Sequence, residues 1–189
     1  MNHEHIGQLV ESKLRTKDIA MIYGHIDGVV AHASFSECMK FRYRLNIELN
    51  VPASDKTKTV CAIMQNPSNA NSDIADKSAQ FLEKLVFTKN NPHFLGVRKL
   101  IIVNQFAFIQ TNGFLGNSKH VGAENDQYIR NAISESDVIL IAWGCSNKYE
   151  DRKQAINNII KGYSDKVLLQ GKSHPSRASY NGYISNYCI

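Results

Sequence analysis

The sequence predicts an α/β protein: a three-layer α/β/α sandwich with a central, mostly parallel four-stranded sheet. Two observations lead to this fold class. Four short apolar runs have the length of buried strands, and stretches with helical spacing of apolar residues separate them. Because successive parallel strands need a crossover between them, usually a helix, this alternation favours a parallel sheet covered by helices. The four runs are KTVCAIMQ, RKLIIVNQFAF, DVILIAWG and KVLLQ.

Each of the four predicted strands ends at a polar or strand-breaking residue. The first stops at Asn66-Pro67, because proline has no N–H to donate to a sheet. The second carries the amide of Asn104 near its end, and Gly144 stops the third. The fourth leads into a polar loop that begins at Gly171.

Three segments, one between each pair of successive strands, have the spacing of amphipathic helices. The first predicted helix is the segment from Asp73 to Val86. Ser72 and Asp73 at its start can each cap a helix N-terminus, and NNPHFLG ends it. The other two predicted helices are GAENDQYIRNAISES and EDRKQAINNIIKGY.

The residues before the first strand form an N-terminal extension of this pattern. Apolar residues from Glu4 to Tyr23 recur at roughly helical spacing, which predicts a helix, and SECMKFRYRLNIEL predicts a strand or hairpin at the sheet edge. A chain of 189 residues suits one core better than two. We therefore expect a single domain over residues 1–189, with residues 58–189 forming the core sheet and the active-site loops.

Composition favours a basic protein with a polyanionic partner. The formal net charge is +5 and the pI is about 9.0, and basic proteins are drawn to nucleic acid by the release of counterions from its phosphates. No apolar run is long enough to span a bilayer, so we expect a cytoplasmic protein with no membrane partner. The four cysteines are scattered without metal-ligand spacing, so we expect free thiols, no metal and no cofactor.

Polar residues follow the predicted strands. The carboxyl ends of parallel strands meet at one edge of a sheet, where ligands bind, so we expect these residues to lie together. Taken singly, each has an ordinary explanation, since Asn-Pro opens turns and His-Pro is common in surface loops. They are Gln65, Asn66 and Ser68 after the first strand, Asn104 in the second, Gly144 after the third, and Lys172, His174, Ser176 and Arg177 after the fourth.

Taken together and in this order, four motifs resemble the uracil-DNA glycosylase superfamily. IMQNPS resembles its water-activating loop, LIIVNQFAF its asparagine-bearing strand, VILIAWG its next strand, and LLQGKSHPSRAS its His-Pro-Ser loop. The resemblance covers residues 58–180. FRYRL, NPS, VGAEND and AWG also resemble an uncharacterised bacterial domain family.

The resemblance implies that two residues cleave the N-glycosidic bond. Asn66 matches the position that holds the attacking water, and a neutral amide can orient water but is a poor general base. His174 matches the histidine that donates a hydrogen bond to the pyrimidine O2 as negative charge develops there, which a neutral imidazole can do. The pair resembles the single-strand-selective branch of the superfamily.

The resemblance also implies substrate-binding positions. Asn104 matches the amide that reads the pyrimidine edge, and the orientation of its side chain, which the sequence leaves open, decides between uracil and cytosine. Ser68 stands where uracil-specific members carry a tyrosine against C5, which predicts tolerance of C5 substituents. Gln65 lies in the same loop. Phe106 and Phe81 are candidates to stack on a flipped base, although aromatic residues in apolar runs usually belong to the core.

Basic and hydroxyl side chains are candidates for binding DNA. Lys172, Ser176 and Arg177 lie in a loop suited to grip phosphates beside a flipped nucleotide, and Arg177 could instead enter the base stack. Alternation puts Arg42 and Arg44 on one face of a strand, where they line the DNA path or guard a solvated edge strand.

The function that the resemblance implies is that of a monofunctional DNA glycosylase. It would remove a uracil-like or C5-modified pyrimidine, such as modified cytosine, and leave an abasic site without strand cleavage, since no lysine matches a Schiff-base position. DNA, single- or double-stranded, would be the partner of a monomer that acts in repair or in defence against phage with modified DNA. Two alternatives remain: a non-catalytic nucleic-acid-binding protein of the same fold, and a nucleoside or nucleotide hydrolase or transferase.

Overall fold

The structure, a computed structural model, describes residues 23–52 and 57–189, and seven strands in these residues form one sheet. The strands are β1 (Val29–Phe35), β2 (Arg42–Leu49), β3 (Lys58–Met64), β4 (Val97–Asn104), β5 (Val138–Ile141), β6 (Val167–Gly171) and β7 (Ile184–Asn186). The α-helices are α1 (Lys77–Phe87), α2 (Asn125–Ser134) and α3 (Glu150–Ile160). The order across the sheet is β1-β2-β4-β3-β5-β6-β7. No helix in the described residues is both long and apolar enough to cross a membrane.

The mixed α/β class is confirmed, but the predicted four-stranded sheet is too small. The four strands predicted from apolar runs are β3 to β6, which are neighbours and run parallel. Antiparallel strands extend the sheet on both sides, because β1 and β2 add next to β4 and β7 adds next to β6. Half of the pairings between neighbouring strands in the described residues are therefore antiparallel, and a mostly parallel sheet is not confirmed.

Apolar clusters lie on both faces of the sheet. Successive side chains of a strand point to opposite faces. Val60 and Ala62 of β3 thus join the cluster under α1, whereas Cys61 and Ile63 join the cluster under α2 and α3. The near-continuous apolar character of β3 follows from burial on both faces.

The chain reverses its direction across the sheet at β3. It passes from β3 through α1 to β4 on one side, then returns through α2 to β5 on the other side of β3. With right-handed crossovers, these opposite directions place α1 on one face and α2 and α3 on the other. The loops after β3 and β5 leave in opposite directions, which opens a crevice at the carboxyl ends of these strands.

Helix α1 begins later than the sequence predicts. Asp76, rather than Ser72 or Asp73, is its N-cap, and the Asp76 carboxylate accepts a backbone N–H of the first turn at 2.8 Å. Ala75, the residue before the cap, donates its N–H to the Tyr23 carbonyl at 2.9 Å. The predicted N-terminal helix lies outside the described residues apart from Tyr23, which forms this isolated β-bridge.

The segment predicted as an edge strand or hairpin forms β2, which is an inner strand. It pairs with β1 on one side and with β4 on the other. Arg44 on β2 is 9% exposed, and its guanidinium donates to the Glu135 carboxylate at 2.7 and 2.6 Å. Arg44 therefore ties β2 to the end of α2 and does not guard an exposed edge.

A buried ion pair fixes the segment before β1 to helix α1. Glu83 is fully buried; its Oε1 lies 2.7 Å from His25 Nδ1, and its Oε2 accepts the Ile26 N–H at 2.9 Å. The second ring nitrogen of His25 lies 2.9 Å from the Asn71 carbonyl oxygen. Both ring nitrogens face oxygen acceptors, and the doubly protonated, cationic ring satisfies both. The hydrogen bond to Glu83 raises the pKa of His25, against the opposing effect of burial. We call this pair the His25–Glu83 clamp.

We predict that the protein becomes less stable as the pH rises through the raised pKa of His25. A proton that the folded chain holds more tightly than the unfolded chain stabilises the fold below the ordinary histidine pKa of about 6.5, and this contribution is lost when folded His25 deprotonates. Between about pH 6 and pH 9, the midpoint of thermal unfolding should fall for the wild type and fall less for His25→Gln. Identical pH profiles for the two proteins would contradict this prediction.

Candidate active site

A cavity of about 600 Å³ lies in the crevice beyond β3 and β6. Its volume is typical of small-molecule sites. The loop after β3, the start of α1, the loop after β4, the turn after β6 and Tyr23 form its walls. We call this cavity the crevice pocket. Six of the residues predicted for the site line it: Gln65, Asn66, Ser68, His174, Ser176 and Arg177.

The side chain of Asn66 is held in one orientation. Its Nδ2 donates to the carbonyl oxygen of Gln110 at 2.6 Å and to that of Pro67 at 3.2 Å. Two carbonyl oxygens need a donor between them, so the NH₂ group lies on this side and Oδ1 on the other. Oδ1 meets only Gln65 Nε2, at 3.4 Å, among the described residues. Asn66 therefore presents a hydrogen-bond acceptor with free capacity in the pocket lining.

The ring of His174 is also oriented by its own turn. Its Nδ1 accepts the Ser176 N–H at 3.3 Å and lies 2.9 Å from Ser176 Oγ. Because a backbone N–H can only donate, Nδ1 is the acceptor and the ring proton is on Nε2, which has no hydrogen-bond partner among the described residues. Burial, followed by the positive charge of Arg177, lowers the pKa of His174. His174 is therefore neutral at pH 7, with one free N–H donor.

Two residues outside the turn, Gly144 and Tyr183, contact the backbone at or next to His174. Gly144 follows β5 with φ +83°, and a Cβ there would lie 3.1 Å from the backbone nitrogen of His174. Glycine at this position permits the close approach. On the other side, the buried Tyr183 donates its hydroxyl to the Ser173 carbonyl at 3.1 Å. The ring of Tyr183 occupies the space beside Gly171, where a Cβ would lie 2.3 Å from it.

Asp76 is a pocket residue that the sequence reasoning missed. It lines the pocket, caps α1 and accepts a short hydrogen bond from the Ser68 hydroxyl. Its negative charge opposes the lowering of the pKa of His174 and of Arg42. Three acidic or hydroxyl residues precede the helix, Ser72, Asp73 and Asp76, and the sequence does not show which of them is the N-cap. Asp76 thus adds a carboxylate to the pocket lining beside Ser68.

Arg42 lies beneath the loop after β3, not on a surface that DNA could reach. It is fully buried and donates to the Ala70 carbonyl at 2.8 Å and to Asn104 Oδ1 at 3.3 Å. Burial lowers the pKa of Arg42 to about 10, which leaves it charged at neutral pH. The DNA-binding prediction for Arg42 is therefore not supported by its position.

The prediction that Arg42 and Arg44 lie on one face of the strand is also wrong. The pairing of β1 with β2 shifts register between Ser34, the partner of Arg44, and Phe35, the partner of Arg42. Arg42 therefore bonds on the side of the sheet that α1 covers, and Arg44 on the side that α2 covers.

Asn104 and Phe106 are buried outside the pocket lining. Asn104 is fully buried, with Oδ1 bonded to Arg42 and Nδ2 without a partner among the described residues. Phe106 packs edge-on against Phe114 and Tyr149, with ring centroids 5.2 and 5.1 Å apart, and lines a second cavity of about 530 Å³ beside the start of α3.

Lys172 is exposed beside the pocket but does not line it. It precedes His174 by two residues in the loop after β6, and its Nζ lies near Gly182. Of the predicted DNA-binding residues, Ser176 and Arg177 lie at the pocket, Lys172 lies on the neighbouring surface, and Arg42 lies inside.

A polar pocket at the point where strand order reverses is the usual ligand site of an α/β domain. The family described as "Protein of unknown function (DUF1643)" matches residues 42–178, and the chain belongs to this family. The matched residues include Asn66 and His174 but not Tyr23 or β7. No curated protein and no solved structure matches the chain.

We predict that Gly144→Ala lowers the free energy of unfolding by about 1–2 kcal/mol, the cost of a Cβ in the left-handed region. The close backbone of His174 leaves little room for the new methyl group. Gly24→Ala is the matched control, because Gly24 does not have a left-handed φ and a Cβ there would meet no other atom within 4 Å. Urea unfolding measures both variants, and equal stability would show that Gly144 is not constrained.

Proposed function

We propose that the protein is a monofunctional DNA glycosylase that hydrolyses the N-glycosidic bond of a uracil-like or C5-modified pyrimidine. One observation carries the proposal: Asn66, with a free acceptor, and His174, with a free neutral N–H, line the same pocket. Hydrolysis of this bond needs an acceptor for water on one side of the sugar and a donor for the departing base on the other.

The resemblance to the uracil-DNA glycosylase superfamily supports the same interpretation. Its motifs fall at the ends of β3, β4 and β5 and after β6, which are the parallel strands of the sheet. Helices lie against both faces of these strands, as the three-layer α/β/α arrangement of that superfamily requires.

Asn66 would orient the attacking water. The water oxygen forms a bond to C1′ of the sugar, the C1′–N1 bond breaks, and its electron pair leaves with the base. Asn66 Oδ1 accepts a hydrogen bond from this water, while the proton of the water passes to solvent or to the departing base. Because a neutral amide does not remove the proton, the reaction depends on stabilisation of the leaving group.

His174 would provide that stabilisation. Its Nε2–H donates a hydrogen bond to the pyrimidine O2, where negative charge develops as the bond breaks. Ser176 holds Nδ1, so the donor position does not change during the reaction. The lowered pKa keeps the ring neutral, and the donor is ready without an added proton.

Ser68 and Asp76 would form the wall that faces C5 of the base. Ser68 is a small residue where uracil-specific members carry a tyrosine, so the wall leaves room for a substituent. The Asp76 carboxylate uses part of its acceptor capacity on Ser68 and on the helix N-terminus, and a carboxylate has further lone pairs. These can accept from the hydroxyl groups of a hydroxymethylated or glycosylated cytosine.

Arg177 at the pocket, with exposed Lys172, would bind the phosphates that flank the flipped nucleotide. The N–H and hydroxyl of Ser176 are both directed at His174 Nδ1, so Ser176 would act through His174 instead. The net charge of +5 favours such a partner. We place the protein in the cytoplasm as a monomer, in DNA repair or in defence against phage with modified DNA.

Asn66→Ala and His174→Ala should each lower the rate of base release by about 10²-fold or more, because each removes a positioned catalytic group. Affinity for DNA should change little. Abasic sites are measured by heat-and-alkali cleavage of oligonucleotides that carry uracil or C5-modified cytosines. His93→Ala is the control, since His93 is exposed in the turn that follows α1.

Three other results would redirect the proposal. DNA binding without base release from any substrate would favour a non-catalytic nucleic-acid-binding protein. Release of the base from free nucleosides or nucleotides, but not from DNA, would favour a hydrolase or transferase of small substrates. Equal loss of DNA binding and base release in both variants would indicate misfolding.

Ser68→Tyr should narrow the substrate range. A phenol ring in this loop fills the space beside C5, so activity on C5-substituted pyrimidines should fall at least tenfold more than activity on uracil, about 1.4 kcal/mol of discrimination. Ser68→Ala, which removes the hydroxyl without filling the space, is the matched control. The same loss on every substrate would show that Ser68 does not face C5.

A further inference from the structure

Tyr23 is an aromatic residue in the lining of the crevice pocket. Among the described residues that line this pocket, only Tyr23 and His174 have aromatic side chains. Tyr23 is half-buried and packs against the apolar cluster under α1. An aromatic residue that packs against the core and lines a pocket is suited to act as a stacking platform.

The segment that carries Tyr23 is held by hydrogen bonds on four successive residues. The Tyr23 carbonyl accepts the Ala75 N–H at 2.9 Å, and the Gly24 carbonyl accepts Gln80 Nε2 at 2.9 Å. His25 and Ile26 follow with the His25–Glu83 clamp. These contacts all join the segment to α1 or to the residues just before it, which also form a wall of the pocket. The position of Tyr23 relative to that wall is therefore fixed.

The other aromatic candidates are committed elsewhere. The ring of Phe81 stacks on Tyr180, with centroids 4.4 Å apart and planes 2° from parallel. Phe106 packs with Phe114 and Tyr149 at the second cavity. Neither Phe81 nor Phe106 borders the crevice pocket.

We propose that Tyr23 is the residue on which the pyrimidine stacks, so that the base lies against its ring while Asn66 and His174 act on the glycosidic bond. This inference rests on the proposed function for the identity of the ligand. It adds a substrate-binding residue from a segment before the family match, which begins at residue 42. Stacking on an aromatic ring tolerates different bases, because every base presents a π-face, and this suits a pocket with a permissive C5 wall.

The test compares Tyr23→Ala with Tyr23→Phe in the full-length protein. Loss of a stacking ring should raise KM for the best oligonucleotide substrate about tenfold or more, with a smaller change in kcat, because the platform binds the base in ground and transition states alike. Tyr23→Phe keeps the ring and should stay within about twofold of the wild type. A purely structural role would lower the thermal unfolding midpoint of Tyr23→Ala without this split between KM and kcat.

A binding measurement is made independently of base release. Oligonucleotides carry a 2′-fluoro target pyrimidine, which slows cleavage, and 2-aminopurine beside it, whose fluorescence rises when the target leaves the stack. The wild type and Tyr23→Phe should give this signal, and Tyr23→Ala should need about tenfold more protein. Glu83→Gln, which loosens the clamp but keeps the ring, should shift the titration in the same direction.

The outcomes separate this inference from the proposed function. If the wild type releases a base and Tyr23→Ala has an unchanged KM and titration, Tyr23 is not the platform although the function stands. Equal losses in Tyr23→Ala and Tyr23→Phe also overturn it, because the ring is then not the group that matters. If the wild type releases no base, the proposed function fails, and the titration decides: a selective loss in Tyr23→Ala supports the platform, and no pyrimidine-dependent signal overturns it.

Discussion

The reversal of strand order at β3 is the constraint on which the pocket depends. Strands β3, β5 and β6 are parallel and in register, with Ile63 opposite Ile141 and Ile141 opposite Gln170. Their carboxyl ends therefore lie at one level, and the loops that follow them supply Asn66, Gly144 and His174. If the chain had continued in one direction from β3, the helix after it would have covered this edge instead of leaving it open.

Strands β3, β4 and β5 could be predicted from the sequence because burial on both faces makes each a largely apolar run. β6 is less buried, but its short apolar run also predicted a strand. Asn66 directly follows the first run and His174 lies four residues after the end of the fourth, so both could be predicted to lie at the carboxyl edge of the sheet. The rest had no comparable signal. Arg42 lies on a strand whose regular alternation is interrupted by a register shift against β1, which the sequence pattern does not show. Tyr23 reaches the pocket through long-range contacts, and β7 has three residues, too few for a periodic pattern.

Two charged side chains near the pocket, Arg42 and Asp76, each make several interactions. Arg42 is a buried cation whose guanidinium bonds to neutral groups, the Ala70 carbonyl and the Asn104 amide. Burying such a charge is costly, and the nearby Asp76 carboxylate offsets part of the cost. Asp76 also caps α1 and holds Ser68. The orientation of the loop after β3 and the electrostatics of the pocket are thus coupled through one carboxylate.

Tyr183 gives the turn after β6 a support that lies beyond the matched family region, which ends at residue 178. Its hydroxyl holds the Ser173 carbonyl and its ring fills the space that Gly171 leaves. Tyr23 lies before the region on the opposite flank. The proposed catalytic pair, Asn66 and His174, thus sits inside the part of the chain that the family model matches, while Tyr23 and Tyr183 lie in the flanks. Substitutions in the flanks can therefore alter the walls of the pocket and leave Asn66 and His174 in place.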